Sequence, residues 1–418
     1  MMKNTTFKKI VCSLLFVSLI FASVVALTFV VRPKLDTKIY GYKHATATQI
    51  MGESKNTVDV LVLGDSLAFR STSPLRIWQN SGITSYVCAT PSQKLFYSEE
   101  FLHLAFDTQS PKAVLLETNT IFRSFTVSEI MTNELETGLG FFRFHNRWKT
   151  LKEEDFSSAL SVDYSQQNIQ KGYKFTRRAR KTDTTGYMSY STDCEPIESL
   201  NLRYVKRIND YCKKHGAKLI LYSAPSVENY SYPRHNALKS LSNELECEYI
   251  DMNLLSKEIQ INWKYNSMDK GDHLNYSGAI KVSDYLAGYL TELKLFDDKR
   301  QNASYSDWNT AFEELKNEKI ILDDETEQKI AKKYSIRAER KRIEKQKKKL
   351  QGILGATDIG IPTNANGELA SLTSTTAQST AAVTQTTCES TEQTTSALKS
   401  KKKNKKSTQN KQTKTKTE

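Results

Sequence analysis

The stretch Val58-Asp-Val-Leu-Val-Leu-Gly-Asp-Ser66-Leu-Ala-Phe-Arg70 decides the fold. A short run of valine and leucine stops at Gly-Asp-Ser, and a helix-compatible segment follows. Such a run, closed by glycine, reads as a buried strand of a parallel sheet. Parallel sheets carry their chemistry at the carboxyl ends of the strands, where Ser66 would sit. A serine on the turn into a helix holds its hydroxyl clear of the sheet, near N–H groups that favour an oxyanion. Alone, Gly-Asp-Ser is more often an ordinary β-turn, so the rest of the chain has to decide.

Outward from this stretch, strand-like and helix-like segments alternate from residue 57 to 296, the signature of an α/β domain. Strands are expected at Val58–Leu63, Ser85–Cys88, Ala113–Glu117, Lys218–Ser223 and Glu248–Asp251. Helices are expected at Pro74–Asn80, Pro91–Phe106, Glu195–His215, Pro233–Leu245 and Tyr276–Leu293. The last repeats Ala279, Val282, Leu286, Leu290 and Leu293 on one buried face, with Asn275 placed to cap it. Residues 124–190 interrupt the alternation with an aromatic cluster, Phe141 to Trp148, and a basic patch, Arg177 to Lys181. They read either as an insertion over the carboxyl edge of the sheet, a lid or substrate platform, or as a satellite core under a long loop.

At the amino end, residues 10–31 are 22 consecutive positions without a charge, long enough to cross a bilayer as a helix. Lys3, Lys8 and Lys9 precede them and favour a cytoplasmic stub of residues 1–9. A cleaved signal peptide is the rival, with Val24-Val25-Ala26 as a poor cleavage site and an apolar region longer than usual. The preferred reading is an uncleaved single-pass anchor in the cell membrane, a linker at 32–56, and an extracytoplasmic body. Beyond the domain, residues 307–350 suit a charged, mostly solvated helix. Residues 352–418 turn to Thr, Ser, Ala and Gln, then lysine, and are expected to be disordered.

The net charge of +13 misleads until it is located. Residues 331–350 and 399–418 each carry a net +8, which leaves the globular part slightly acidic. Basicity confined to appendages, on an exported chain, argues against nucleic acid as a partner. It fits anionic wall polymers or lipid headgroups. The six cysteines include no Cys-x-x-Cys, so neither a zinc site nor a redox pair is signalled.

Of six histidines, His273 has the most suitable company, in Asp269-Lys-Gly-Asp272-His273-Leu-Asn-Tyr-Ser-Gly278 just before the last helix. A neighbouring carboxylate fixes the tautomer of an imidazole and stabilises its cation when it takes a proton from serine. Asp272 is adjacent in sequence but would point away in an extended segment. Asp269 is four residues off, a distance that a turn through Gly271 could close, and it is favoured. His215 reads as a helix end and His235 as a helix-start residue. His44 and His103 have no convincing carboxylate beside them in the sequence, and His145 is a weak substrate-contact candidate.

Over residues 57–295 these blocks resemble the SGNH (GDSL-like) hydrolases, especially their membrane-anchored extracytoplasmic bacterial branch. Gly64-Asp65-Ser66 resembles the nucleophile block and His273-Leu-Asn-Tyr-Ser-Gly-Ala the closing block. Val114-Leu-Leu-Glu117-Thr-Asn119 ends the third strand, where the family places an asparagine that helps bind the oxyanion. The resemblance implies a three-layer, flavodoxin-like α/β fold without metal or organic cofactor. Two departures stand out. The second block, Cys88-Ala-Thr-Pro-Ser-Gln, lacks the usual glycine, leaving Ala89 or Thr90 to offer the N–H. The aspartate usually three residues before the histidine is replaced by Lys270.

The function implied is a serine esterase or O-acyltransferase acting on acylated cell-envelope polysaccharide, in the second case alongside a membrane-bound O-acyltransferase. The alternative is a non-catalytic envelope protein that binds glycan or such a partner.

Overall fold

A computed structural model of the chain describes residues 2–35 and 44–354. Residues 36–43 of the expected linker and the expected disordered tail from 355 onward lie outside the described residues.

Five strands form one fully parallel sheet: β1 (Val60–Gly64), β2 (Ser85–Ala89), β3 (Ala113–Glu117), β4 (Lys218–Ser223) and β5 (Glu248–Asp251). Their order is β2-β1-β3-β4-β5. β1 to β3 are buried along their whole length, which is why they read as continuous apolar runs rather than alternating ones. Register is set pairwise, with Val60 opposite both Ser85 and Ala113, and Gly64 opposite Ala89.

Following the sheet, α1 (Met2–Val31) precedes β1, and α2 (Ser66–Ser71) and α3 (Pro74–Ser81) lead to β2. α4 (Leu95–Phe106) leads to β3. After β3 come α5 (Val127–Gly138), α6 (Gly140–Phe144) and α7 (Ser199–Lys214). α8 (Tyr232–Leu245) joins β4 to β5, and α9 (Tyr276–Glu292) closes the domain. Crossovers between parallel strands are right-handed, and the chain steps to opposite sides of β1 to reach β2 and β3. Helices therefore cover both faces, with α3 packed on α9 and α4 on α7. The chain leaves β1 for β2 on one side and reaches β3 on the other, so the boundary between β1 and β3 is the topological switch point, at whose carboxyl end open α/β sheets place their sites.

Several expectations need correction. Residues 44–56 are part of the body rather than a free linker: Ala47 and Ile50 are buried, and the Tyr86 hydroxyl donates to Thr46 O at 2.8 Å. The charged segment is two helices, α10 (Ser306–Asn317) and α11 (Asp324–Leu354). α10 is solvated over most of its surface, but one side is not: Trp308, Ala311 and Leu315 form a stripe buried against Trp78 of α3. From Glu344 to Leu354 the chain falls in a second unit, helical where described and rich in lysine.

The segment 124–190 divides in two. Residues 127–160 fold as short helices beside the end of α1. Residues 168–182 form an extended strap held by backbone bonds, with Val87 N donating to Lys171 O, Lys174 N to Phe69 O, and Tyr276 N to Thr176 O. Its arrival point is the His273 loop, where Arg180 N donates to Ser267 O. Lys171, nearly inaccessible, is paired with the fully buried Glu53 at 2.7 Å beneath the Trp308 ring.

Candidate active site

β1 must end in glycine here because of packing. A Cβ on Gly64 would lie 2.6 Å from the Glu117 Cβ and 2.7 Å from the Ala68 Cβ. The tight passage delivers Ser66 to the first position of α2, partly exposed at the carboxyl end of the sheet. Asp65 caps that turn, its Oδ1 accepting from Leu67 N at 2.8 Å.

The other oxygen of this fully buried carboxylate collects three donors. Oδ2 accepts from Asn119 Nδ2 at 2.9 Å, Arg123 Nε at 2.7 Å and Arg123 Nη2 at 2.5 Å. A buried charge is tolerated only when paired and hydrogen-bonded in this way. Asn119 is in turn held through Oδ1 by Arg234 Nη1 at 3.2 Å. Arg234 also binds Asn229 O and Glu195, and lies over the Phe122 ring.

His273 sits on a loop folded back on itself, with Met268 N donating to His273 O and Ser267 Oγ accepting from Gly271 N. The turn needs Gly271, whose φ is +111° and whose added Cβ would meet Thr182 at 2.6 Å. Asp269 grips the histidine twice, Oδ1 accepting its backbone N–H at 2.8 Å and Oδ2 lying 2.7 Å from Nδ1. Asp272 Oδ2 is farther from Nδ1, at 3.2 Å, and its Oδ1 is occupied by Asn229 Nδ2 at 2.6 Å. Ser226, after β4, braces the loop by donating to Asp272 O at 2.8 Å.

The charges follow from this arrangement. Burial opposes the imidazolium, but the ring's hydrogen bond to Asp269 and the charges of Asp272, Asp269 and Asp65 outweigh it and raise the His273 pKa. Ser226, just after β4, fastens this loop at the carboxyl end of the sheet, the end that also carries Ser66. Burial also opposes the charge on Asp269, yet the His273 ring and backbone N–H groups, with His273 and Arg178 nearby, lower its pKa. Asp269, Asp272 and His273 are the described His and acidic groups whose ligand atoms converge, all within 4.8 Å. Nδ1 is committed to Asp269, so a cation there would have to displace that bond.

The expected oxyanion donors are less available than the sequence suggests. Thr90 N donates to Gln93 Oε1 at 2.9 Å and Thr90 Oγ1 to the same atom at 3.0 Å, because residues 90–93 close on themselves. Ala89 is the buried last residue of β2, opposite Gly64. One N–H of Asn119 Nδ2 is spent on Asp65.

Other residues of this region are unforeseen in the sequence reading. Arg123 and Arg234 carry no spacing signal, since their partners come from other elements. Glu117 does carry one, a lone carboxylate closing an apolar strand. It is fully buried, accepting from Tyr230 OH at 2.5 Å and Asn119 N at 3.1 Å, and Tyr230 continues to Thr118, Ser223 and Tyr249. Burial first, then the charge of Asp65, push its carboxyl up to about 8. His235 lies in the first turn of α8, as expected, and also forms a second imidazole–carboxylate pair, Nδ1 to Asp251 Oδ2 at 2.8 Å. His145 contacts Phe142 O in the segment beside α1.

No protein-family model matches the sequence, and no curated protein matches it either. Among solved structures, a protein classed as a GDSL-like lipase from Parabacteroides merdae superposes with a TM-score of 0.31 at 10% identity. It covers 58% of this chain and 99% of its own. A protein classed as an acylhydrolase from Bacteroides fragilis gives 0.32 at 10%, covering 61% and 97%. Likenesses this slight bear no weight on chemistry. What agrees with an SGNH-type architecture is the 2-1-3-4-5 parallel sheet, with Gly-Asp-Ser closing β1 and His273 preceding the last helix.

Proposed function

We propose that the chain is a membrane-anchored serine ester hydrolase or O-acyltransferase, with its body outside the cytoplasmic membrane, acting on acyl esters of cell-envelope polysaccharide. The observation that carries this reading is the doubly gripped His273. With Nδ1 turned to Asp269, its Nε2 is the atom left to take a proton. In the proposed step, Ser66 Oγ attacks the ester carbonyl as its proton passes to His273 Nε2. The same proton then goes to the departing sugar oxygen. Water, or a second sugar hydroxyl, repeats the sequence on the acyl-serine, giving hydrolysis or transfer. The Ser66 backbone N–H and the remaining N–H of Asn119 are the proposed oxyanion donors.

The polysaccharide assignment and a membrane-bound O-acyltransferase partner rest on the anchor and the sequence resemblance. One observation favours a non-catalytic reading, in which the body only binds glycan or a partner: Thr90 N–H and part of the Asn119 amide are already occupied. Labelling with a fluorophosphonate separates the two. An activated Ser66 is modified and Ser66→Ala is not, whereas absence of labelling in the folded full-length chain would leave the binding reading.

A further inference from the structure

The segment beside α1 presents large apolar side chains to its surroundings. Phe142 is 42% exposed, Trp148 65%, Phe156 59% and Leu160 80%. Exposed side chains of this size, gathered in one short segment, mark a contact surface. Their neighbour along the chain indicates what covers them.

The apolar helix Thr6–Val31 has 26 residues, about 39 Å at 1.5 Å per residue, against a hydrocarbon core of about 30 Å. With Lys8 and Lys9 at one boundary, the core is used up by about Phe29. The last turn of α1 then lies at the opposite interface. That turn is where residues 139–160 are fastened. Phe141 N donates to Thr28 Oγ1 at 3.2 Å, and the Thr28 methyl would touch a Cβ on Gly140 at 3.4 Å. Arg147 Nη1 donates to Val31 O at 2.7 Å while Nη2 holds Asp155 at 2.8 Å. Lys34 Nζ bridges Phe29 O and Ala159 O. The bonds to Val31 O and Phe29 O satisfy terminal carbonyls of α1 that have no partner within the helix. They also fix the platform at the level where the helix leaves the hydrocarbon.

We infer that residues 139–160 form a second membrane contact, laying Phe142, Trp148, Phe156 and Leu160 into the interfacial layer of the bilayer that α1 crosses. The inference rests on α1 being a membrane span. Trp148, with an apolar body and a polar N–H edge, favours this layer, and Phe142, Phe156 and Leu160 add apolar surface beside it. Lys149, over the Trp148 ring at 5.7 Å, is placed to meet anionic headgroups. The body is then held against the membrane by two elements instead of swinging on a single helix.

Full-length protein in phosphatidylethanolamine–phosphatidylglycerol vesicles containing brominated lipid tests this. Trp78 and Trp308 are buried and Trp263 is partly covered against Tyr187, so Trp148 is the indole best placed to meet lipid. The expected result is fluorescence quenching in the wild type that falls several-fold in Trp148→Phe, a change mild enough to keep the fold. Equal quenching in both, in protein that stays with the vesicles through alkaline carbonate, overturns the platform and leaves that face to a protein partner. Extraction of the wild type by carbonate overturns the span and the platform together.

Discussion

Asp269 holds both the backbone and the ring of His273, at 2.8 and 2.7 Å, while Asp272 reaches the same nitrogen only at 3.2 Å. The proposed base is the neutral imidazole, so the rate should climb as pH rises through the His273 pKa. That pKa is raised, burial being outweighed by Asp269, Asp272 and Asp65. Removing the Asp269 charge should therefore shift the acidic limb of the pH–rate profile to lower pH. Loss of the tautomer should at the same time cut the maximal rate by roughly two to four orders of magnitude. Asp272→Asn should move the same limb less. Profiles of aryl-acetate turnover for both variants check this; an upward shift in Asp269→Asn would exclude His273 as the base.

Asp65 and Arg123 should be strongly coupled. Their ion pair buries the carboxylate completely while leaving the guanidinium partly exposed. Arg123→Ala should destabilise the protein by about 1–3 kcal/mol, below the range for a fully buried pair because water can reach part of the site. In an Asp65→Asn background the same change should cost clearly less, since no buried charge is left unpaired. Urea unfolding of the four proteins of the cycle measures the coupling. Additivity within about 0.5 kcal/mol would show that Asn119 and Leu67 N–H suffice for Asp65.

Glu53 and Lys171 offer a harsher case, since both side chains are buried. Glu53→Gln leaves an ammonium under Trp308 without its counter-charge, and a loss of about 3–5 kcal/mol is expected. Lys171→Met with Glu53→Leu should recover much of it, because an apolar pair avoids the desolvation of two ions. Thermal unfolding of the single and double variants decides. A double variant no better than Glu53→Gln would point instead to the conformation at Lys171, whose φ is +50°.

What the sequence could and could not reveal follows from the range of each interaction. The ends of β3, β4 and β5 coincide with expectation because apolar runs stop sharply at Glu117, Ser223 and Asp251. The Asn275 cap on Gly278 N was equally local and equally legible. The strap at 168–182 was not, since its hydrogen bonds go to distant backbone groups and impose no periodicity on its own residues. Arg123 was invisible for the same reason. His235 and Asp251 are sixteen positions apart on α8 and β5, brought together only by the crossover. The stripe Trp308, Ala311, Leu315 was readable at helical spacing, but the surrounding charge concealed it.

Glu117 supplies the last prediction, on stability against pH. In the unfolded chain its carboxyl loses its proton near the ordinary 4.5; folded, burial and the Asp65 charge hold the proton until about 8. Between these values the folded state binds more protons, so this residue's stabilising contribution is full below pH 4.5 and lost as pH rises through about 8. Glutamine mimics the protonated form, with an amide N–H able to donate to Tyr230 and an oxygen able to accept from Asn119 N. Glu117→Gln should therefore match the wild type near pH 4 and exceed it at pH 9, by up to a few kcal/mol. Glu117→Ala should be worse at every pH, because it leaves a cavity and strands the Asn119 and Ala224 N–H groups. The measurement is the difference in unfolding free energy between wild type and each variant across pH 4 to 9. A difference for Glu117→Gln that stays flat over that range would mean that the carboxyl is already ionised in the fold, with Tyr230 as its permanent donor.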